Sequence, residues 1–218
     1  MRSQSQYWNG RYRSDPALFG SGESPFLQWV LSQLAHRPHG RNWIELGSGY
    51  GRDLRALHAR GYRVRGIDVS AVGVSLARES GLHAVRAPAL RFLEKVAPAS
   101  VDVVFSNLFW NMEFSENDHE RLFSRVHRVL GPGGFHAYSV RSVTDRWYGK
   151  GVPVGPDMFD LTPDGPVMHF FSREYARRLR GARFRCVRAW ECTEDPGGFP
   201  TRVLYVLEQK VSTRHARE

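Results

Sequence analysis

Asn42-Trp43-Ile44-Glu45-Leu46-Gly47-Ser48-Gly49-Tyr50-Gly51, followed by Gly66-Ile67-Asp68, is the stretch on which the fold turns. Trp43, Ile44 and Leu46 read as a short buried strand, and Leu54 and Leu57 begin a helical spacing just behind it. Three glycines at alternate positions lie between the two. With no Cβ there, the backbone can turn sharply and lie close against a bulky ligand. The helix N-terminus that follows offers free N–H groups to polar or anionic ligand atoms. A dinucleotide fingerprint Gly-x-Gly-x-x-Gly would need glycine at position 52, which is Arg52. The bland alternative is an ordinary strand–turn–helix with no ligand.

Glu45-Leu46-Gly47-Ser48-Gly49-Tyr50-Gly51 resembles the nucleotide-binding loop of class I S-adenosylmethionine (SAM) methyltransferases. Asp68, 17 residues after Gly51, stands with Val69 where that family holds the ribose. A carboxylate suits two vicinal hydroxyls, since its two oxygens can accept from both. The resemblance implies S-adenosyl-L-methionine as cofactor, against Glu45, Gly47, Ser48, Gly49, Gly51, Asp68 and Val69. Glu45 would hold the methionine amino end through water. Where the family commonly has an Asp for the adenine amino group, this chain has Pro88. Proline has neither a side-chain acceptor nor a backbone donor, so adenine is left to the backbone of Ala89 and Leu90 and to apolar packing.

Composition sets the outer limits. At 218 residues and 41 % hydrophobic content, the chain suits one domain with a proper core. No apolar run approaches 18 residues, and the start lacks the apolar stretch of a signal peptide, so a cytoplasmic protein with no membrane partner is expected. Cys186 and Cys192 sit on one late strand with even spacing, expected on the same face as reduced, buried thiols. The net charge of +9 allows a nucleic-acid partner. Its arginines are spread along the chain, however, with only Arg177-Arg178 and Arg180 clustered, and read as solvated surface. Nothing distinguishes a monomer from a homodimer.

Residues 1–6 and 211–218 are polar ends expected to be mobile. Residues 1–40 form an N-terminal cap segment in which Ser24 caps a helix started by Pro25, with Leu27, Val30, Leu31 and Leu34 on one face. Strand and helix signals then alternate, which argues for βαβ units. Strands are predicted near 42–47, 62–68, 82–87, 101–106, 134–141, 183–193 and 201–210. Helices are predicted near 51–60, 70–80, 89–96, 116–130 and 173–180. The last two strands should pair as a hairpin across Asp195-Pro196-Gly197-Gly198. The fold class is therefore α/β: a Rossmann-like, doubly wound seven-stranded sheet, mostly parallel, with an antiparallel C-terminal hairpin strand. Residues 142–171, rich in glycine, proline and aromatics, break the alternation and read as a long loop acting as a substrate lid.

The remaining site candidates follow from topology. The end of the strand opened by Asp102 faces the crevice where ligands of such sheets bind, which brings Asn107 near the transferred group. The competing role for Asn107 is a turn residue satisfying its own backbone. Phe109 and Trp110 are pocket wall or plain core. The whole chain is similar to small bacterial methyltransferases of the tellurite-resistance and thiopurine types, in which the N-terminal portion closes over SAM. Tyr12, Trp8 and Phe19 would then stack near the cationic sulfonium or simply anchor the N-terminus. A soft thiolate or selenolate acceptor needs alignment only, whereas an oxygen or nitrogen nucleophile needs a base. His169 is the first candidate, with His119 or Tyr148 behind it; a lone His beside two phenylalanines is also a good structural residue. Arg141 and Asp145 would bind a polar or carboxylated substrate, or pair with each other to hold the lid. No Cys/His cluster suggests a metal.

The leading expectation is a SAM-dependent methyltransferase acting on a small-molecule acceptor. The same fold can also host an internal attack on SAM, a cyclase or lyase releasing methylthioadenosine, for which a pocket sealed by Tyr148 and His169 would speak. An RNA or protein methyltransferase and a noncatalytic SAM-binding module complete the alternatives.

Overall fold

Residues alternate in and out along each strand of the central sheet, and the two sets build two separate cores. In chain order α1 spans Gln4–Ser14, α2 Pro25–Leu34, β1 Asn42–Leu46, α3 Arg52–Ala59, β2 Arg63–Asp68 and α4 Ala71–Glu79. They are followed by β3 Ala84–Arg86, α5 Ala89–Lys95, β4 Val101–Asn107, α6 Glu116–Val129 and β5 Leu130–Arg141. The chain ends with β6 Val152–Gly155, β7 Met158–Asp160, β8 Val167–His169, α7 Arg173–Arg180, β9 Phe184–Glu194 and β10 Thr201–Lys210. The structure, a computed structural model, describes residues 3–162, 165–195 and 200–211.

The seven-stranded sheet has the order β3-β2-β1-β4-β5-β10-β9. It is parallel from β3 to β5, and β10 runs antiparallel to both β5 and β9. This is the expected architecture. Trp43, Val103, Phe105, Ala137, Val203 and Tyr205 pack on one face against Phe26, Leu27, Val30 and Leu34 of α2. On the opposite face Ile44, Val104, Val140 and Val206 meet Leu122 and Val126 of α6 and Leu179 of α7. Ser24, Ser115 and Ser172 cap α2, α6 and α7 by accepting from Leu27 N, Asp118 N and Tyr175 N. Among the described residues no helix is long and apolar enough to cross a membrane.

Three expectations need correction. The polar start is helical from Gln4: Ser3 and Gln6 form a reciprocal capping box, and α1 buries only Tyr12. Residues 212–218 lie outside the described residues, as do Pro163 and the Pro196-Gly197-Gly198 part of the expected hairpin turn. Residues 142–171 are not one long loop, since β6, β7 and β8 pair antiparallel as a second sheet. Strands of three and four residues are too short to show a period in sequence. The two cysteines are free, but Cys186 is exposed and Cys192 half-buried. Opposite Leu207 and Glu208 the partner register skips Val187. That bulge turns Cys186 to the other face from Cys192.

Candidate active site

A cavity of about 390 Å³ opens at the C-terminal ends of β2, β1 and β4, where the strand order reverses. Such switch points are where open α/β sheets hold ligands, and about 300–1,000 Å³ is the usual size of a small-molecule site. Its floor is the loop after β1. Gly47 N and Ser48 N donate to Ile67 O at 2.8 and 3.2 Å, which fastens the loop to β2. Gly47 and Gly49 have φ of +73° and +53°. A Cβ on Gly47 would stand 3.0 Å from the Phe109 ring, and one on Gly49 would collide with Tyr12 Oη. Gly51, also at positive φ, does not line the cavity. It starts α3 facing inward, where a Cβ would come within 2.7 Å of Leu82.

Asp68 ties the loop to the end of β2. Its Oδ2 accepts from Gly49 N at 2.9 Å and its Oδ1 from Ser70 N at 2.7 Å. Burial raises this carboxyl, and the same backbone N–H groups pull it back. Each oxygen keeps a further lone pair for a ligand hydroxyl. Glu45 is deeper, 3 % exposed, and its carboxyl is pushed well above the ordinary value, first by burial and then by Asp53 nearby. Glu45 Oε2 and Ser48 Oγ are buried with no hydrogen-bond partner in the described structure. Unpartnered buried polar atoms are costly. A ligand bearing an ammonium group would satisfy both within this cradle, so the residues present fit SAM. At the other end Ala87, Pro88, Ala89 and Leu90 line the cavity. Pro88 precedes α5, and the N–H groups of Ala89 and Leu90 open that helix without intrahelical partners.

Helix α1 forms the roof. Asn9 Oδ1 accepts from Ser70 Oγ at 2.8 Å and Val72 N at 3.1 Å, and Ser5 Oγ donates to Val69 O at 3.1 Å. Trp8 stacks on Tyr12 at 5.8 Å, and its Nε1 lies 3.3 Å from Met112 Sδ. Phe19 also lines the cavity, held by its N–H on Tyr50 Oη and its carbonyl on Arg52 Nη1.

At the β4 end, Asn107 lines the cavity and accepts from Ser139 Oγ at 2.5 Å. Phe109 lines it as well, whereas Trp110 does not: it is fully buried, with Nε1 on Ser106 Oγ at 2.8 Å. Arg141 reaches the cavity, but Asp145 lies behind it. Asp145 accepts from Arg202 N, Trp147 N and, at 3.3 Å, Arg141 Nη1, so the mutual ion pair is the arrangement formed. Tyr148 stands outside, 38 % exposed, with its hydroxyl on Asp157. His169 also misses the cavity because alternation along β8 turns Met168 into it and His169 away. The His169 ring packs against His119, Tyr175 and Phe171, and burial lowers its pKa. His119 is lowered to about 4 by burial and the nearby His169, and it bonds Tyr175 Oη and Trp110 O.

Among the lining residues that the sequence did not assign to the site are Asn111 and Glu194. Asn111 accepts from Arg141 N, donates to His169 O and accepts from His169 N, joining β4's loop to β5 and β8. Glu194, at the end of β9, enters the same cavity. Neither carries a local signal, because both owe their position to strand pairing.

Residues 44–138 match the family model described as a methyltransferase domain. Around that stretch the fold is the one shared by solved SAM-dependent methyltransferases. A SAM-dependent methyltransferase of Methanosarcina mazei superposes with a TM-score of 0.73 at 17 % identity, covering 87 % of this chain and 99 % of that one. The 1,6-didemethyltoxoflavin-N1-methyltransferase of Burkholderia thailandensis, solved with its acceptor and S-adenosylhomocysteine, gives 0.67 at 21 % identity over 95 % and 85 %. The geranyl diphosphate C-methyltransferase of Streptomyces coelicolor gives 0.65 at 16 % identity over 95 % and 96 %. No curated protein matches the sequence.

Proposed function

We propose that the protein transfers a methyl group from SAM to a small-molecule acceptor by in-line displacement. The observation that carries this reading is the pair of unpartnered polar atoms, Glu45 Oε2 and Ser48 Oγ, buried on a glycine cradle that continues past Asn107 to Arg141. Bound SAM supplies a methyl group already activated by its sulfonium. The chain's own residues bind, orient and exclude water. Asp68 takes the ribose hydroxyls, Glu45 the ammonium, Ala89 and Leu90 the adenine edge. Trp8, Tyr12 and Phe19 present aromatic faces to a cationic centre, a contact of up to ~2 kcal/mol when desolvated. Asn107, held by Ser139, fixes the wall where acceptor and methyl meet.

The room beyond Asn107 favours an external acceptor over internal attack on SAM. The Tyr148 and His169 side chains that would seal such a pocket both stand outside it. Mass spectrometry of purified protein with SAM, with and without a panel of phenols, amines and thiols, tests the reading. S-adenosylhomocysteine formed only in the presence of one acceptor is the expected result. Methylthioadenosine released with no acceptor would replace transfer with cyclisation or lysis of SAM.

A further inference from the structure

Strand order lays the cavity out as a row, with neighbouring strands about 4.8 Å apart. Asp68 ends β2, Glu45 lies in β1, Asn107 ends β4, Arg141 ends β5 and Glu194 ends β9. Register fixes the faces. Glu45 is opposite Phe105, and Asn107 is two residues beyond Phe105. Asn107 is opposite Ser139, and Arg141 is two beyond Ser139. Arg141 pairs with Val203, Val203 with Cys192, and Glu194 is two beyond Cys192. Alternation therefore turns Glu45, Asn107, Arg141 and Glu194 to one side of the sheet. Asp68 and Glu45 belong to the cofactor cradle. Arg141 and Glu194 lie past Asn107, at the acceptor's end.

Both groups hold chemistry that the fold leaves unused. The Arg141 side chain, 18 % exposed, makes one side-chain hydrogen bond among the described residues, to Asp145 at 3.3 Å. A guanidinium has five N–H donors. Glu194 accepts from Tyr205 Oη and has no ion pair within 4 Å among the described residues. Burial raises its carboxyl, and Asp53 of α3 adds to this; Tyr205 of β10, Arg52 of α3 and Arg141 of β5 pull it down. The Cys192 thiol is the remaining titratable neighbour on its own strand. The walls of the same cavity include flat or soft side chains: Tyr7, Trp8, Phe109, Met112 and Met168. Thioethers and aromatic rings favour a planar aromatic guest.

We propose that this end of the cavity binds an aromatic carboxylate carrying a hydroxyl or amine, with Arg141 holding the carboxylate and Glu194 taking the proton of the attacking O–H or N–H. The proposal rests on the methyl-transfer reading above. In the step the new O–C or N–C bond forms as the methyl–sulfur bond breaks. That bond's electron pair stays on sulfur, and the acceptor's proton passes to the Glu194 carboxylate. A carboxyl raised by burial is a stronger base than an exposed one.

The test begins with calorimetric titration of the protein saturated with S-adenosylhomocysteine. The probes are 4-hydroxybenzoate and 4-aminobenzoate, with phenol and aniline as uncharged counterparts. The benzoates should bind at least tenfold more tightly. Arg141→Met should abolish that difference while changing S-adenosylhomocysteine affinity less than twofold. Glu194→Gln, which keeps an acceptor for Tyr205 Oη, should still bind 4-hydroxybenzoate. It should lose the acidic limb of the single-turnover pH profile and at least tenfold in rate at neutral pH. Equal binding of charged and neutral probes, or an Arg141→Met variant indistinguishable from wild type, overturns the carboxylate assignment. A Glu194→Gln profile that matches wild type overturns the base assignment. Absence of S-adenosylhomocysteine binding would instead overturn the cofactor reading, and this proposal with it.

Discussion

Glu45 carries a conflict between stability and binding that a single substitution can separate. Its carboxyl is raised well above the ordinary 4.5, mainly by burial, and one oxygen has no partner. As pH rises past 4.5 the unfolded chain gives up this proton while the folded protein keeps it. The folded state then binds more protons, so stability falls with rising pH until the folded group ionises as well. Glu45→Gln removes that loss. The variant without ligand should be more stable at pH 7 by about 1 kcal/mol, roughly 2–4 °C in Tm at this chain length. It should also lose the ionic contact to the ammonium, weakening S-adenosylhomocysteine about tenfold, or ~1.4 kcal/mol. Thermal melts from pH 5 to 8 and a calorimetric titration check both halves. A variant that melts lower and binds normally would contradict the account.

At the scale of elements, the parts legible in sequence are those with a period or a cap. β1, the glycine loop and α3 could be read because alternating glycines and the Leu54/Leu57 spacing are local signals. α2, α6 and α7 could be read from Ser24, Ser115 and Ser172. α1 could not: it is polar, carries Gly10 in its interior and buries a single residue, so its helicity depends on docking. The same holds for Asn111 and Glu194, whose place in the site comes from pairing across β5, β8 and β10. His169 misled because its neighbours in sequence suggested the crevice, while strand alternation turned it the other way. The docking of α1 is testable. Asn9 Oδ1 serves both Ser70 Oγ and Val72 N, so Asn9→Ala removes two hydrogen bonds at about 1 kcal/mol each. Hydrogen exchange in residues 4–14 should accelerate at least tenfold and S-adenosylhomocysteine should bind more weakly, with the global Tm within about 2 °C of wild type. Unchanged exchange over α1 would show that the aromatic contacts alone hold it.

Across the whole molecule, the polar side chains of the central sheet divide by face. The site row points to the side of α2, while the opposite side holds a polar cluster in the apolar core under α6 and α7. Glu208 and His136 are fully buried there, 3.5 Å apart, with Tyr138 Oη 3.3 Å from Glu208 Oε1 and Arg180 Nη1 3.6 Å from the same oxygen. The Arg180 side chain is 18 % exposed, and it is the guanidinium that neutralises this carboxylate. Arg180→Met would leave a buried charge without its cation, a loss of about 3–5 kcal/mol for such pairs. Glu208→Gln in the same background removes the stranded charge, so the double variant should regain a good part of that loss. Urea denaturation of the two single variants and the double one measures the coupling. S-adenosylhomocysteine affinity should stay within twofold of wild type in all three, because none of these side chains reaches the cavity. Additive losses in the double variant would mean that Arg180 stabilises α7 by packing its stem and not by compensating Glu208.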